Sequence, residues 1–356
     1  MKKIISICIA SIMIFSSAEA YPCSRVLWAP EEQPSITGRN MDWPVPMGTK
    51  LRIMPRGAKR SGLTDNNALE WTSKYGSVVA TVWDEVVCDG MNEKGLDANI
   101  LYLTGSEYGQ RDTTRPGLAI SQWAQYYLDN FETVAEAVKV TKEIDFQILP
   151  VYLMDKGEKV EAPLHLSLSD ATGDSAIIEI LAGKTVIHHG KEYTVMTNSP
   201  TYDEQLVLLK QYEGLGGTKP IPGTSEPEDR FARAAYYLKL LPPKPDNFRE
   251  AVAGVLSVMR NAATPIGVLD PKRPNISMTQ WTSIADSTDR IYYFEFTRLP
   301  NVVWAKLDEF DLNAGAPEMV LDILANPTLS GDVSTDFKEA SPLTTSPAGQ
   351  VGGAKS

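Results

Sequence analysis

The chain has 356 residues, of which 34 are Lys or Arg and 45 are Asp or Glu, giving a net charge of −11. An acidic chain without a basic run is a poor nucleic-acid binder, because that affinity rests on cations at phosphates. The length suffices for a large buried core in one domain or two, and no apolar run reaches the about 20 residues of a bilayer crossing.

The first twenty residues carry Lys2 and Lys3, the apolar run IISICIASIMIF, and an A-x-A pattern at Ala18 and Ala20. That order reads as a secretory signal peptide over residues 1–20, so the mature protein is expected in the periplasm or secreted. Ala20, Tyr21 and Pro22 precede Cys23 where a lipoprotein would carry its lipobox. Loss of the signal removes Lys2, Lys3 and Glu19, so the net charge moves from −11 to −12. Two cysteines remain, Cys23 and Cys88, in a compartment that permits disulfides. One reading bridges them and makes the chain a secreted binding protein. The other leaves Cys23 as a free nucleophile.

Residues 75–103 are rich in Val, Ile and aromatics, with breaks at Asp84-Glu85 and at Asn92 to Gly95, and predict a three-stranded meander. Residues 115–143 predict helix. Ile120, Trp123, Ala124 and Tyr127 fall on one face, and Val134, Ala137, Val138 and Thr141 mark a second helix after Phe131. Strand patterns return in APLHLSLSD, DSAIIEIL, KTVIHHG and KEYTVMTN, with Gly173 and Gly183 at turns. Helical stripes follow at Phe231, Ala234, Ala235 and Leu238, and at Phe248, Val252, Val255, Leu256 and Met259. The stretches MTQWTSIAD, RIYYFEFT and NVVWAKL then read as strands. Residues 341–356 are small, polar and rich in Pro and Gly, and are expected to form a disordered tail. Hairpins dominate over strand–helix alternation, which favours antiparallel sheets covered by helices in one domain over residues 23–340.

Common hydrolase signatures are absent. There is no H-E-x-x-H and no G-x-S-x-G, and GLGGTKP reads as a loop rather than a phosphate cradle. The three histidines, His165, His188 and His189, lie in strand patterns. Adjacent strand residues point to opposite faces, so His188 and His189 do not read as a metal pair.

If Cys23 becomes the N-terminus, its own α-amine can act as general base, since such an amine has a pKa near 7.7–8. One residue then supplies nucleophile and base, and no histidine is needed. Three helpers are required: a cation at the thiolate, a carboxylate at the amine, and a donor for the oxyanion. TGRNMDWP offers Arg39 and Asp42 on a neighbouring strand, TNSP offers Asn198, and EDRFARAAYY offers Arg230. Taken singly, Arg39 and Asp42 also read as a surface pair worth about 0–1 kcal/mol. Asn198 also reads as part of a turn, and Arg230 as a solvated helix residue.

Taken together, Cys23 followed by GRNMDW, NEKGL, SAIIEI, TNSP and DRFARAA resembles the choloylglycine hydrolase family, which holds penicillin V acylases and bile salt hydrolases within the N-terminal-nucleophile hydrolases. The resemblance runs from Cys23 to about residue 300. It implies an α+β fold, an αββα sandwich of two antiparallel sheets between helical layers. It also implies Cys23 as nucleophile, Arg39 and Asp42 beside it, Asn198 and the Tyr102 backbone N–H at the oxyanion, and Arg230 on a helix. The implied reaction is hydrolysis of a small-molecule acyl amide with no metal or organic cofactor, in a homotetramer. Trp43 and Trp83 read either as walls of an acyl pocket or as plain core. Tyr102, where bile salt hydrolases tend to carry Asn, leans toward penicillin V acylase. Bile salt hydrolysis and N-acyl homoserine lactone cleavage remain open. Tyr21 and Pro22 are expected to leave by self-cleavage, with Cys23 attacking the bond before it.

Overall fold

Alternation along the strand Ile36–Trp43 sets the architecture. Its odd-numbered side chains turn to a second sheet: Thr37 Oγ1 meets Ser169 Oγ at 2.6 Å, and Arg39 donates to the Ile100 carbonyl at 3.0 Å. Its even-numbered positions turn to a helix. Asn40 Nδ2 donates to the Met259 carbonyl at 2.8 Å, and a Cβ on Gly38 would lie 2.6 Å from Met259 Cγ. Glycine at that position lets the helix approach the strand closely.

The computed structural model describes residues 22–143, 146–155, 158–267 and 277–350, so the expected signal peptide and Tyr21 lie outside the described residues. A seven-stranded sheet runs in the order Val195–Met196, Cys23–Trp28, Ile36–Trp43, Met278–Asp286, Ile291–Phe296, Val302–Lys306 and Gly331–Asp332, antiparallel except for the last pair. A nine-stranded antiparallel sheet runs Lys184–His189, Ser175–Leu181, Leu164–Ser169, Asp97–Tyr102, Val86–Asn92, Ser77–Val82, Lys50–Met54, Glu318–Leu321 and Lys338–Ala340. The expected meander is its centre. Helices α1 (Trp123–Asn130) and α2 (Val134–Glu143) cover the outer face of the nine-stranded sheet. After α3 (Tyr202–Leu209), helices α4 (Pro227–Leu240) and α5 (Phe248–Ala262) cover the outer face of the other. The result is the αββα sandwich expected from the sequence.

The structure departs from the sequence expectations in three places. The helix expected from residue 115 begins only at Trp123. Pro116 and Gly117 break it, and Gly117–Ala119 instead pairs in parallel with Gln147–Leu149. Helix α3 lies in a stretch that the sequence reading leaves unassigned; its Thr201–Glu204 capping box was visible as T-Y-D-E. Residues 341–350, expected to be disordered, lie along the domain and are held by backbone hydrogen bonds, among them Ala348 N–H to the Leu63 carbonyl at 2.9 Å. Small polar residues make such bonds as well as any others, so composition alone misleads there.

The turn Asn92–Gly95 ties the meander to α1. Asn92 Nδ2 donates to the carbonyls of Leu128 and Phe131, both at 2.8 Å. Gly95 has φ +85°, and a Cβ on it would sit 2.1 Å from the Ser287 carbonyl oxygen of the facing sheet. Gly95→Ala is expected to lower the unfolding free energy by about 1–3 kcal/mol from backbone strain alone, with the collision adding to it. Urea unfolding of the purified variant measures the loss.

Candidate active site

Cys23 opens the strand Cys23–Trp28 and is buried, with Met41 opposite it on the neighbouring strand. Arg39 Nη2 lies 3.8 Å from Cys23 Sγ, and the guanidinium sits 4.5 Å over the Trp281 ring and 3.9 Å from Asp89 Oδ2. Asn198 Oδ1 accepts the Cys23 backbone N–H at 2.6 Å, while Asn198 Nδ2 donates to the Tyr102 carbonyl at 2.7 Å. Arg230 donates to the Cys23 carbonyl, to Ser24 Oγ at 2.7 Å, to Asn198 Oδ1 at 2.7 Å and to the Ser225 carbonyl at 2.9 Å. Asp42 Oδ1 accepts from Thr279 Oγ1 at 2.5 Å, and its Oδ2 is buried without a hydrogen-bond partner. The five residues picked from separate sequence motifs therefore converge on one point.

The electrostatics follow from burial. Burial pushes the Cys23 thiol up from its ordinary pKa, and Arg39 is the main influence pulling it down. Burial also raises Asp42 to about 6, against the pull of Arg230, Thr279 and Arg39. Arg39 is held above its ordinary value: burial opposes its charge, but Cys23, Cys88, Asp89 and Tyr292 outweigh it. A cation fixed beside a thiol favours the thiolate.

A pocket opens beside the thiol. Trp43 and Trp83 meet edge to face in its wall, with centroids 5.6 Å apart at 74°. Tyr102 also lines it, with its carbonyl turned to Asn198. Trp83 sits in the turn between two strands of the meander with φ 55°, followed by Asp84 at φ 53°, a left-handed pair of non-glycine residues. Sequence reading missed most of the apolar lining, among it Met41, Met47, Cys88, Ile100 and Leu164. Period-two alternation from Arg39 would have found Met41.

The expectation of a Cys23–Cys88 bridge is not met. Both cysteines are free and buried, the first on the seven-stranded sheet and the second on the nine-stranded one. Cys88 Sγ donates to the Ala80 carbonyl at 3.5 Å, and burial pushes its thiol up to about 12. The bridged binding protein is thereby set aside. The histidines are engaged elsewhere: His165 Nε2 with the Thr197 carbonyl at 2.9 Å, His188 with Glu179 at 3.4 Å and His189 with Asp174 at 2.8 Å.

Residues 23–321 match the family described as linear amide C–N hydrolases, choloylglycine hydrolase family. A penicillin V acylase of Pectobacterium atrosepticum is 41% identical over 363 residues, covering 95% of this chain and 96% of that one. A bile salt hydrolase/transferase of Clostridium perfringens is 27% identical over 286 residues, covering 73% of this chain and 84% of that one. The structure of penicillin V acylase from Agrobacterium tumefaciens superimposes with a TM-score of 0.83 at 45% identity, over 91% of this chain and 100% of that one.

The raised pKa of Asp42 has a stability consequence in the chain that keeps Pro22. A carboxyl that titrates near 6 when folded and near 3.8 when unfolded holds its proton more tightly in the fold. Its ionisation therefore costs nothing below about pH 4, and the cost is complete above about pH 6. In a Cys23→Ala background, which lacks the thiol that the expected self-cleavage would use, Asp42→Asn is expected to gain about 2–3 kcal/mol at pH 7.5 and close to nothing at pH 4. Paired urea titrations at the two pH values test this.

Proposed function

The chain belongs to the choloylglycine hydrolase family, enzymes that hydrolyse C–N bonds in linear amides, and we propose that it is an exported penicillin V acylase-like enzyme whose nucleophile is Cys23 exposed as the N-terminal residue. The observation that carries this reading is the convergence on Cys23: Arg39 at its thiol, Asn198 at its nitrogen and Arg230 at its carbonyl. The lone Asp42 Oδ2 adds to it. An amide nitrogen has one proton to offer, and Asn198 takes it. An α-ammonium has three, and a buried carboxylate oxygen without a partner suits the new charge.

The chemistry then runs with these residues alone. The α-amine of Cys23 takes the thiol proton. The thiolate attacks the acyl carbonyl, and the oxyanion is met by Asn198 Nδ2 and the Tyr102 backbone N–H. The intermediate collapses, the C–N bond breaks, and the α-ammonium gives its proton to the leaving amine. Water, deprotonated by the same amine, attacks the thioester and releases the acid. Before this, Cys23 Sγ attacks the Pro22 carbonyl, the Pro22–Cys23 C–N bond breaks to release the α-amine, and water hydrolyses the resulting thioester, which removes Tyr21-Pro22 as the free acid and restores the thiol. Signal cleavage after Ala20 delivers that precursor to the periplasm or the exterior.

Penicillin V is favoured as the substrate type because the P. atrosepticum and A. tumefaciens relatives carry that name at 41% and 45% identity. An apolar pocket with two edge-to-face tryptophans suits an aryl or alkyl acyl group.

The test is a panel of penicillin V, glycocholate and acyl homoserine lactones with purified enzyme, with the terminus read by intact mass. Penicillin V is expected to be cleaved best by protein beginning at Cys23. Cys23→Ser should lose at least about a thousandfold in kcat, and Asn198→Ala about 10²–10³. Undiminished hydrolysis by Cys23→Ser, or active enzyme beginning at Tyr21, would overturn the reading.

A further inference from the structure

The pocket beside Cys23 is walled from two directions. One wall is the turn that carries Trp83 and Val86. The other is the stretch that carries Val151, Ala162 and Leu164. Residues 341–350 are bonded to both. Ser346 N–H donates to the Glu85 carbonyl at 3.2 Å, and Ser346 Oγ donates to Glu85 Oε2 at 2.8 Å, between Trp83 and Val86. A few residues on, Gly349 N–H donates to the Pro150 carbonyl at 3.0 Å, and the Gln350 carbonyl accepts Tyr152 N–H at 2.9 Å. Val151, the wall residue, is thus held on both sides. At the first of these anchors Ser121 Oγ also donates to the Ser346 carbonyl at 2.5 Å, which fastens the segment to the domain.

We propose that residues 341–350 are a strap that fixes the separation of the two pocket walls and so determines which acyl group the enzyme accepts. The proposal deepens the reading above and rests on it in taking the pocket for the acyl site. The physical reason is short reach. Five consecutive residues from Ser346 to Gln350 span the walls, and a tether that short and bonded at both ends allows little relative movement. The Trp83 turn is a left-handed pair without glycine, a conformation that surrounding contacts must hold. Freed of Ser346, that turn can move outward, so contact with a compact acyl group weakens and space for a longer one opens.

The experiment compares the full chain, a Ser346→Asp variant that sets a second carboxylate against Glu85, and a chain ending at Ala340. N-phenoxyacetyl and N-decanoyl amides of one amine serve as substrates, so only the acyl part differs. The ratio of kcat/KM for decanoyl over phenoxyacetyl is expected to rise about three- to tenfold in both variants, mainly through KM. A parallel readout needs no turnover: the rate of Cys23 alkylation by a pyrenyl maleimide relative to N-methylmaleimide, followed on the Cys23 peptide, should rise in the same direction. Folded Ser346→Asp protein with both ratios unchanged overturns the strap, whether or not the truncated chain folds. If the full chain cleaves neither amide but the alkylation ratio still rises, the assigned activity fails and the strap stands.

Discussion

Arg230 is fully buried, and its guanidinium can be tolerated there only because its donors are taken up by acceptors from separate stretches of chain. Cys23 and Ser24 come from the first described strand, Asn198 from the loop before α3, and Ser225 from the approach to α4. This satisfaction also orients the neighbouring amide. Asn198 Oδ1 accepts from both Arg230 Nη2 and the Cys23 N–H, so the oxygen faces them and the NH₂ group is left to turn toward Tyr102. An amide reversed end for end would confront two donors with a third. The position of the proposed oxyanion donor is therefore set by the helix that bears Arg230.

The second constraint lies between the sheets. Arg25 and Arg39 are fully buried there, with Asp89, Asp97 and Tyr292 among the same strands. Asp89 takes hydrogen bonds from Tyr292, Ser283 and Asn99, and it lies within ion-pair distance of Arg39. Burial nevertheless raises the pKa of both Asp89 and Asp97. A layer of this kind contributes less to stability than apolar packing of equal volume. What it provides is a cation that cannot swing away: Arg39 is stacked on Trp281, and its Nη2 both donates to the Ile100 carbonyl and faces the Cys23 sulfur. An acidic protein thus keeps a fixed positive group at its candidate nucleophile.

Much of this was legible in the sequence. The meander, the four long helical stripes and the final strands followed from periodicity, because each of those elements buries one face. The site residues were legible for a different reason. Arg39 and Asp42 share a strand with Cys23's partner, and Asn198 and Arg230 stood out through the motifs TNSP and DRFARAA that carry the family resemblance. Their convergence was not legible, since register between strands far apart in the chain leaves no local mark. The pocket lining escaped for the same reason: Met47, Ile100 and Leu164 are ordinary apolar residues until three strands and a loop meet. Residues 341–350 were misread because composition reports the capacity to bury apolar surface, and that segment is held by backbone bonds instead.

The bond between Pro22 and Cys23 has a consequence in time rather than in space. While it is intact, the nitrogen of Cys23 is an amide, with its lone pair delocalised and unable to accept a proton. Arg39, Asp42, Asn198 and Arg230 are already in place around it. On the proposed reading, everything the reaction needs is assembled except one base, and that base comes into existence only when a peptide bond is cut. The protein would be unable to hydrolyse amides until that cut is made. Its activation would be a single one-way event written into the fold, needing no second protein to throw the switch and none able to reset it.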